Sequence, residues 1–570
     1  MTVEEHFDVV VVGTGFGGSL TAMRLAEAGK SVLVLERGQP YPPGSFARTP
    51  YEMRTNFWAP DTGTHGLFEL WAFDALDVVV SSGLGGGSLI YANVMLRKDE
   101  RTFVHEDLSD GGYESWPVTR QDLEPHYDRF EAVQKPQRFP LGHGQPYAST
   151  AKTRAMMNVG PALGATELPQ LAVMFAADGS APAPGQPIPG GEQNLHGSPR
   201  STCRLCAECD LGCNYGSKST LDFTCLSEAW RHDAQVRTCC EVRTITPAGG
   251  DGSRKRGYMI GYRQHLPARE GHPSHLLDDS DDEQRTVSAD EVVLAAGAIG
   301  SPRLLLANRA ALPRLSPALG MRVSANGDYL ALVRNCRASG GNGKPEWNYL
   351  EPSRGPVITT SIHVDEARSA CGRGYYIQDA GAPAFAEWLW QGLEVPSDIW
   401  RARRRIVRAL RDRLRGRRDT REDGLVSELF GDAHSSAAMM PVLAMGRDLP
   451  NGRLRLMGDE LELDWSAKPS DHYYDCVRGS LSKLAEALGG ELVLDPLDRR
   501  GRAVTVHPVG GCAMASDSRH GVVDPWGRVH GYPGLWVADG SVMPGPVGPN
   551  PSFTIAALAD RFADAMIEGR

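Results

Sequence analysis

A β-branched run, Phe7 to Val12, leads directly into Gly13-Thr14-Gly15-Phe16-Gly17-Gly18, after which apolar residues take a helical spacing at Leu20, Met23, Leu25 and Ala26. A second apolar run, Val32 to Leu35, ends in Glu36. The order predicts a strand-helix-strand unit with the dinucleotide-binding fingerprint Gly13-x-Gly15-x-x-Gly18, and so an α/β chain with a Rossmann-like domain. The first glycine makes the tight turn. The second lets backbone amides approach a pyrophosphate at the helix N-terminus, and the third lets helix and strand pack closely. Glu36, eighteen residues beyond Gly18, can accept both ribose hydroxyls and disfavours a 2′-phosphate by charge. The motif alone does not separate NAD from FAD, though its place at the start of the chain leans towards FAD.

With 570 residues the chain holds two or more domains, or one large domain with insertions. It is 41% hydrophobic, 7% aromatic and 23% charged, which excludes global disorder. A net charge of -10 makes nucleic acid a poor partner. No apolar run reaches the ~18–20 residues of a membrane span. The first residues lack a basic segment and a small-residue cleavage site, so the cytoplasm is the expected compartment. There the eleven cysteines should stay reduced unless they hold a metal, and four of them fall between Cys203 and Cys213.

Further along, Asp77 to Val80 reads as a strand entering Gly83-Leu84-Gly85-Gly86-Gly87-Ser88, where the backbone can pass tightly against a flat ring or a phosphate. Residues 170–200 read as a long loop. Tyr258 to Tyr262 and Thr286 to Leu294 read as paired strands. Near the C-terminus His507 stands at a strand end before Pro508-Val509-Gly510-Gly511, Leu535 to Val537 is a buried strand leading to Asp539-Gly540, and Asn550-Pro551 opens a helix from Phe553 to about Ile567.

Together these stretches resemble the glucose–methanol–choline (GMC) oxidoreductases, flavoenzymes that oxidise alcohols, and within them the bacterial cholesterol-oxidase-like branch. The resemblance runs through Val11 to Ser19, Gly85 to Tyr91, Trp116-Pro117-Val118, Gly216 to Leu221, Ala295 to Pro302, His507 to Cys512, and Val537 to Ile555, in family order. It implies FAD in a discontinuous domain, residues 1–105, 215–320 and 500–570, and a substrate domain, residues 106–214 and 321–499, whose antiparallel sheet roofs the pocket. It implies His507 as the active-site histidine and Asn550 as its partner. Gly85, Gly87, Ser88, Asn93, Val242, Ala296, Asp539, Gly540 and Thr554 are then expected at the cofactor with the first glycines and Glu36. The roles are chemically coherent. An alcohol loses a proton from oxygen and a hydride from carbon, so a base must sit at the hydroxyl while the carbon faces the flavin.

Two residues depart from the pattern. Gln378 stands where cholesterol oxidases carry a proton-moving glutamate, and an amide cannot shuttle a proton, so coupled double-bond isomerisation is not expected. Asp379 is adjacent, but one residue along a strand faces the other way. Pro549 replaces a small aliphatic residue before Asn550.

Cys203-x2-Cys206-x2-Cys209-x3-Cys213 has the spacing of ferredoxins and suggests an iron–sulfur cluster, 4Fe-4S or 3Fe-4S. Asn214 follows where ferredoxins place proline, which leaves the fourth ligand open among Cys213, Cys225, Cys239 and Cys240. Zinc, disulfides or plain buried thiols are the other readings. A cluster beside FAD favours a dehydrogenase with an external acceptor, a quinone or redox protein, over an oxidase that uses O2.

Arg401 to Arg418 holds ten arginines and one acid, with Trp400, Val407, Leu410 and Leu414 on one helical face. Such a basic helix over 400–418 suits either an anionic inner membrane surface or ordinary packing on the protein. The expected function is oxidation of an apolar alcohol, a sterol, terpenoid or long-chain alcohol. A non-redox lyase using the same flavin site, and a flavin-binding electron-transfer subunit, are the alternatives.

Overall fold

The computed structural model describes residues 5–108, 112–248, 257–265, 283–340, 344–384, 434–494 and 502–569. The basic segment 400–418 and the apolar residues just before it lie outside the described residues. Among those described, no helix is long and apolar enough to cross a membrane.

The N-terminal unit forms as its pattern requires: β1 (His6–Val12), α1 (Phe16–Glu27) and β2 (Val32–Leu35). Val9 to Val12 pair in parallel with Val32 to Leu35 on one side and with Glu291 to Leu294 on the other. Strand Gln235–Arg237 extends the sheet beyond β2. The long strand Glu283–Leu294 is shared, with Tyr258–Gln264 antiparallel to its first half and Leu535–Val537 parallel to its end. β2 is an unbroken apolar run buried throughout because helices and loops cover both faces. Over this sheet α1 lies against the C-terminal helix Ser552–Glu568.

Helix Arg120–Gln134 follows the expected boundary at residue 106. Its Leu123, Tyr127 and Phe130 belong to the same buried core as the dinucleotide layer, where Tyr127 and Phe130 pack on Phe553.

The second layer is a six-stranded antiparallel sheet in the order Ala165–Glu167, Ser361–Val364, Tyr375–Asp379, Met440–Gly446, Tyr329–Arg334, Glu491–Leu494. Tyr375 and Ile377 pack with the buried side of helix Asp471–Ala487, through Val477, Leu481 and Leu484. The period of a strand puts Tyr376 and Gln378 on the opposite face.

Candidate active site and cysteine pocket

The glycines divide by what a side chain would meet. A Cβ on Gly17 would lie 1.5 Å from Ala538 O, on Gly18 2.1 Å from Gly13 O, and on Gly86 2.6 Å from Gly15 Cα. These positions press backbone against backbone. At Gly15 and Gly87 nothing lies within 4 Å, so both border open space. Glu36 caps the cradle: it accepts from Thr14 N at 3.0 Å and from Gly38 N at 2.9 Å. Burial raises its pKa.

Asn93 is the residue that most requires a ligand. It is fully buried, held at φ 70°, and neither atom of its amide finds a partner. A buried amide left so costs free energy on the order of 1–3 kcal/mol. The donor set and the cradle fit FAD.

The side chains of other residues expected at the cofactor are bonded within the protein. Asp539 accepts from Gly297 N, Ser301 Oγ, Ser541 N and Ser541 Oγ, so it ties two strand ends together beside Gly540 and Ala296. Ser88 Oγ donates to Gly85 O at 2.7 Å and accepts from Leu221 N at 3.0 Å. Thr554 Oγ1 pairs with the Tyr127 hydroxyl at 2.8 Å. Val242 sits at a bulge of the strand Cys240–Pro247.

His507 follows strand Ala503–Thr505, and its Nδ1 lies 2.9 Å from one oxygen of Asp328 and 3.1 Å from the other. Asp328 is buried and also accepts from Thr505 Oγ1 and Val506 N. A carboxylate at Nδ1 makes that nitrogen the donor and leaves Nε2 as the base. Two residues earlier, Asn326 accepts from Val547 N at 2.8 Å and Gly548 N at 3.2 Å and donates to Pro549 O at 3.1 Å. One buried loop, Ser324 to Asp328, thus anchors both His507 and the turn that presents Asn550. Asp448 holds the start of that loop through Ser324 Oγ and Ala325 N, and burial pushes its carboxyl up to about 7. Lys98, whose ammonium burial pushes down to about 7, braces the same turn from Pro546 O and Val547 O.

Asn550 Oδ1 accepts from Gln378 Nε2 at 2.9 Å, which leaves Asn550 Nδ2 free to donate. Gln378 Oε1 is buried and unpartnered. Asp379 lies on the other face, paired with Lys152 at 2.6 Å and capped by Thr359 and Thr360. On Gln378's side Tyr376, Leu443 and Met445 make an apolar cluster with Leu96.

The GMC oxidoreductase profile matches residues 8–322 with its N-terminal part and residues 483–559 with its C-terminal part. The chain belongs to the GMC oxidoreductase family. It is 30% identical to a cholesterol oxidase of Mycobacterium tuberculosis, over 98% of this chain and 91% of that one. It is 27% identical to a cholesterol oxidase of Acinetobacter baumannii, over 98% and 94%. The paromamine 6′-oxidase of Streptomyces fradiae is 26% identical over 98% and 91%. A fungal aryl-alcohol oxidase structure shares the fold at TM-score 0.56 and 15% identity, covering 100% of both chains. GMC oxidoreductases bind FAD and act on CH–OH donors.

Cys203, Cys206, Cys209 and Cys213 line a single pocket with Lys218. Cys225, by contrast, belongs to the main core, and Cys240 bonds Thr238 O and Gln264. Asn214, in the place of the ferredoxin proline, accepts from Gly44 N and Phe46 N and donates to Phe46 O, which secures the end of the run.

Asn326, Asp328, Asp448 and Lys218 were not legible as site residues. Asn326-Gly327 is an ordinary turn signature, and the only available signal was its position between two apolar segments.

Proposed function

We propose that this GMC oxidoreductase oxidises the hydroxyl of an apolar alcohol, a sterol, terpenoid or long-chain alcohol, and passes the electrons to an external acceptor. The observation that carries the substrate class is the roof strand: Gln378 touches Asn550 while Tyr376, beside it on the same face, joins Leu443 and Met445 in an apolar ledge. The names of the two cholesterol oxidase relatives point the same way. Bound FAD supplies the hydride acceptor. Asn550 Nδ2 donates to the substrate oxygen, and His507 Nε2 takes its proton as the carbon gives up hydride. Asp328 keeps Nδ1 protonated and stabilises the imidazolium that results. An iron–sulfur cluster at Cys203, Cys206, Cys209 and Cys213 is the electron relay that this reading favours.

Anaerobic mixing of purified FAD-loaded protein with cholesterol, a terpenoid alcohol and a long-chain alcohol tests it. At least one should bleach the flavin absorbance. Bleaching by an amino-sugar alcohol and by none of the three would overturn the apolar assignment, and no bleaching by any alcohol would overturn the redox reading in favour of a lyase.

A further inference from the structure

The cysteine pocket carries chemistry that alcohol oxidation does not require. All four cysteines are free, and Cys203 Sγ accepts from Leu205 N at 3.4 Å. Amide donors to sulfur stabilise thiolates and tune the centres they bind. Leu205 and Ala207 are non-glycine residues in the left-handed region, at φ 60° and 52°, one on either side of Cys206. Such alternation curls successive amides round a concavity that suits anions and iron–sulfur centres.

The spacing of the sulfurs selects among metals. Zinc at 2.3 Å from each of four thiolates holds the sulfurs roughly 3.8 Å apart. Among the described residues, no three of these sulfurs lie within 4.8 Å of one another. Four thiolates that each bind their own iron at the corner of a cube stand further apart and surround a space. The four cysteines border one such pocket together with Lys218.

Lys218 is the second, independent observation. Its side chain is buried, and its ammonium donates to Leu89 O at 3.1 Å, Tyr91 O at 2.8 Å and Cys209 O at 2.9 Å. Among the described residues it forms no salt bridge. A buried cation held by carbonyls needs negative charge nearby, and Lys218 faces Asp210 and Asp222 together with the thiols of Cys209 and Cys213. A cluster with four thiolate ligands would add to that charge on the side of Cys209 and Cys213. Leu89 and Tyr91 follow directly on the glycine-rich loop that borders the cofactor cradle, and Asp210, in the cysteine loop, lies within electrostatic reach of both Lys218 and His507.

We propose that Cys203, Cys206, Cys209 and Cys213 hold one four-iron iron–sulfur cluster, with Lys218 as its buried counter-cation and its link to the flavin-binding loop. The direction of electron flow rests on the alcohol-oxidation reading; the cluster itself does not. Each alcohol oxidised to its carbonyl releases two protons and two electrons. The electrons reach the cluster one at a time, and it hands each to a one-electron acceptor, a small redox protein or a quinone reduced in two steps.

Protein produced with adequate cluster assembly and purified anaerobically is assayed for iron, sulfide, zinc and FAD, and its dithionite-reduced form by electron paramagnetic resonance. About four irons and four sulfides per chain are expected. Cys206→Ser should lose the four-iron signal, keep FAD and still be bleached by alcohol. Lys218→Met should lower the reduced fraction of the cluster about ten-fold at a fixed ambient potential near its midpoint, or abolish the cluster. Lys218→Arg, which keeps the charge, should restore it. Stoichiometric zinc without iron, or no metal at all, would overturn the cluster. An intact cluster with unchanged reduction in Lys218→Met, or equal loss in the Met and Arg variants, would overturn the role of Lys218. Wild type that holds the cluster but is not bleached by any alcohol would overturn the alcohol reading and leave the cluster standing.

Discussion

Asp328 holds Nδ1 of His507 at 2.9 Å, and by claiming that nitrogen it determines which side of the ring can take a proton from substrate. Asp328→Asn would present an amide N–H to Nδ1 and force the proton onto Nε2. A fall in kcat of roughly 10²-fold is expected, as for the loss of a positioned base, with FAD content unchanged. His507→Ala should fall at least as far. Steady-state kinetics with flavin quantitation on each variant checks both, and near-normal turnover in Asp328→Asn would show that the carboxylate serves only the fold.

Gly15→Ala separates folding from cofactor binding. Its Cβ would meet no protein atom within 4 Å, so the apoprotein should fold with an unchanged melting temperature. The methyl instead intrudes where a pyrophosphate approaches the amides, and FAD affinity should drop ten-fold or more, about 1.4 kcal/mol. Fluorescence titration of apoprotein with FAD measures this. Gly17→Ala is the control, because its Cβ would strike Ala538 O and should destabilise the protein itself.

How far the site was readable in the sequence follows from how far apart its parts lie. The glycine loop and Glu36 sit in a short local pattern whose chemistry is carried by its neighbours, whereas the roles expected of His507 and Asn550 came only with the family resemblance. Asp328 and Asn326 act on residues 179 and 223 positions away, and no local pattern reports such contacts. The same holds for helix Arg120–Gln134, whose place over the dinucleotide layer depends on contact with Phe553, more than 400 residues away. The alternation that separates Gln378 from Asp379 was readable because strand period depends on position alone.

If the protein takes a sterol, wild type should form the ketone without accelerating migration of the ring double bond, since Gln378 can hold Asn550 but cannot relay a proton. Gln378→Glu should gain that migration. Ultraviolet absorbance of the conjugated enone follows it, and a rate in wild type above the spontaneous one would contradict the assignment.

Asp448 predicts a pH dependence of stability. Its folded carboxyl titrates at about 7, against 3.8 for an ordinary aspartate. Between these values the folded state holds a proton that the unfolded chain has lost, so this residue's contribution to stability falls as pH rises through the window. Asp448→Asn lacks that slope. Melting temperatures at pH 4.5 and pH 8 should show wild type losing ground to the variant, and a constant difference would refute the shifted carboxyl.

Strand Tyr375–Asp379 divides its labour by parity. Its even-numbered residues lie on the side of Asn550 and the Leu443–Met445 cluster, while Tyr375, Ile377 and Asp379 are committed to the core behind and to Lys152. On the proposed reading, exchanges at 376 and 378 would alter the substrate side of the roof without drawing on the contacts that keep it in place, so specificity and stability can be varied separately along one strand.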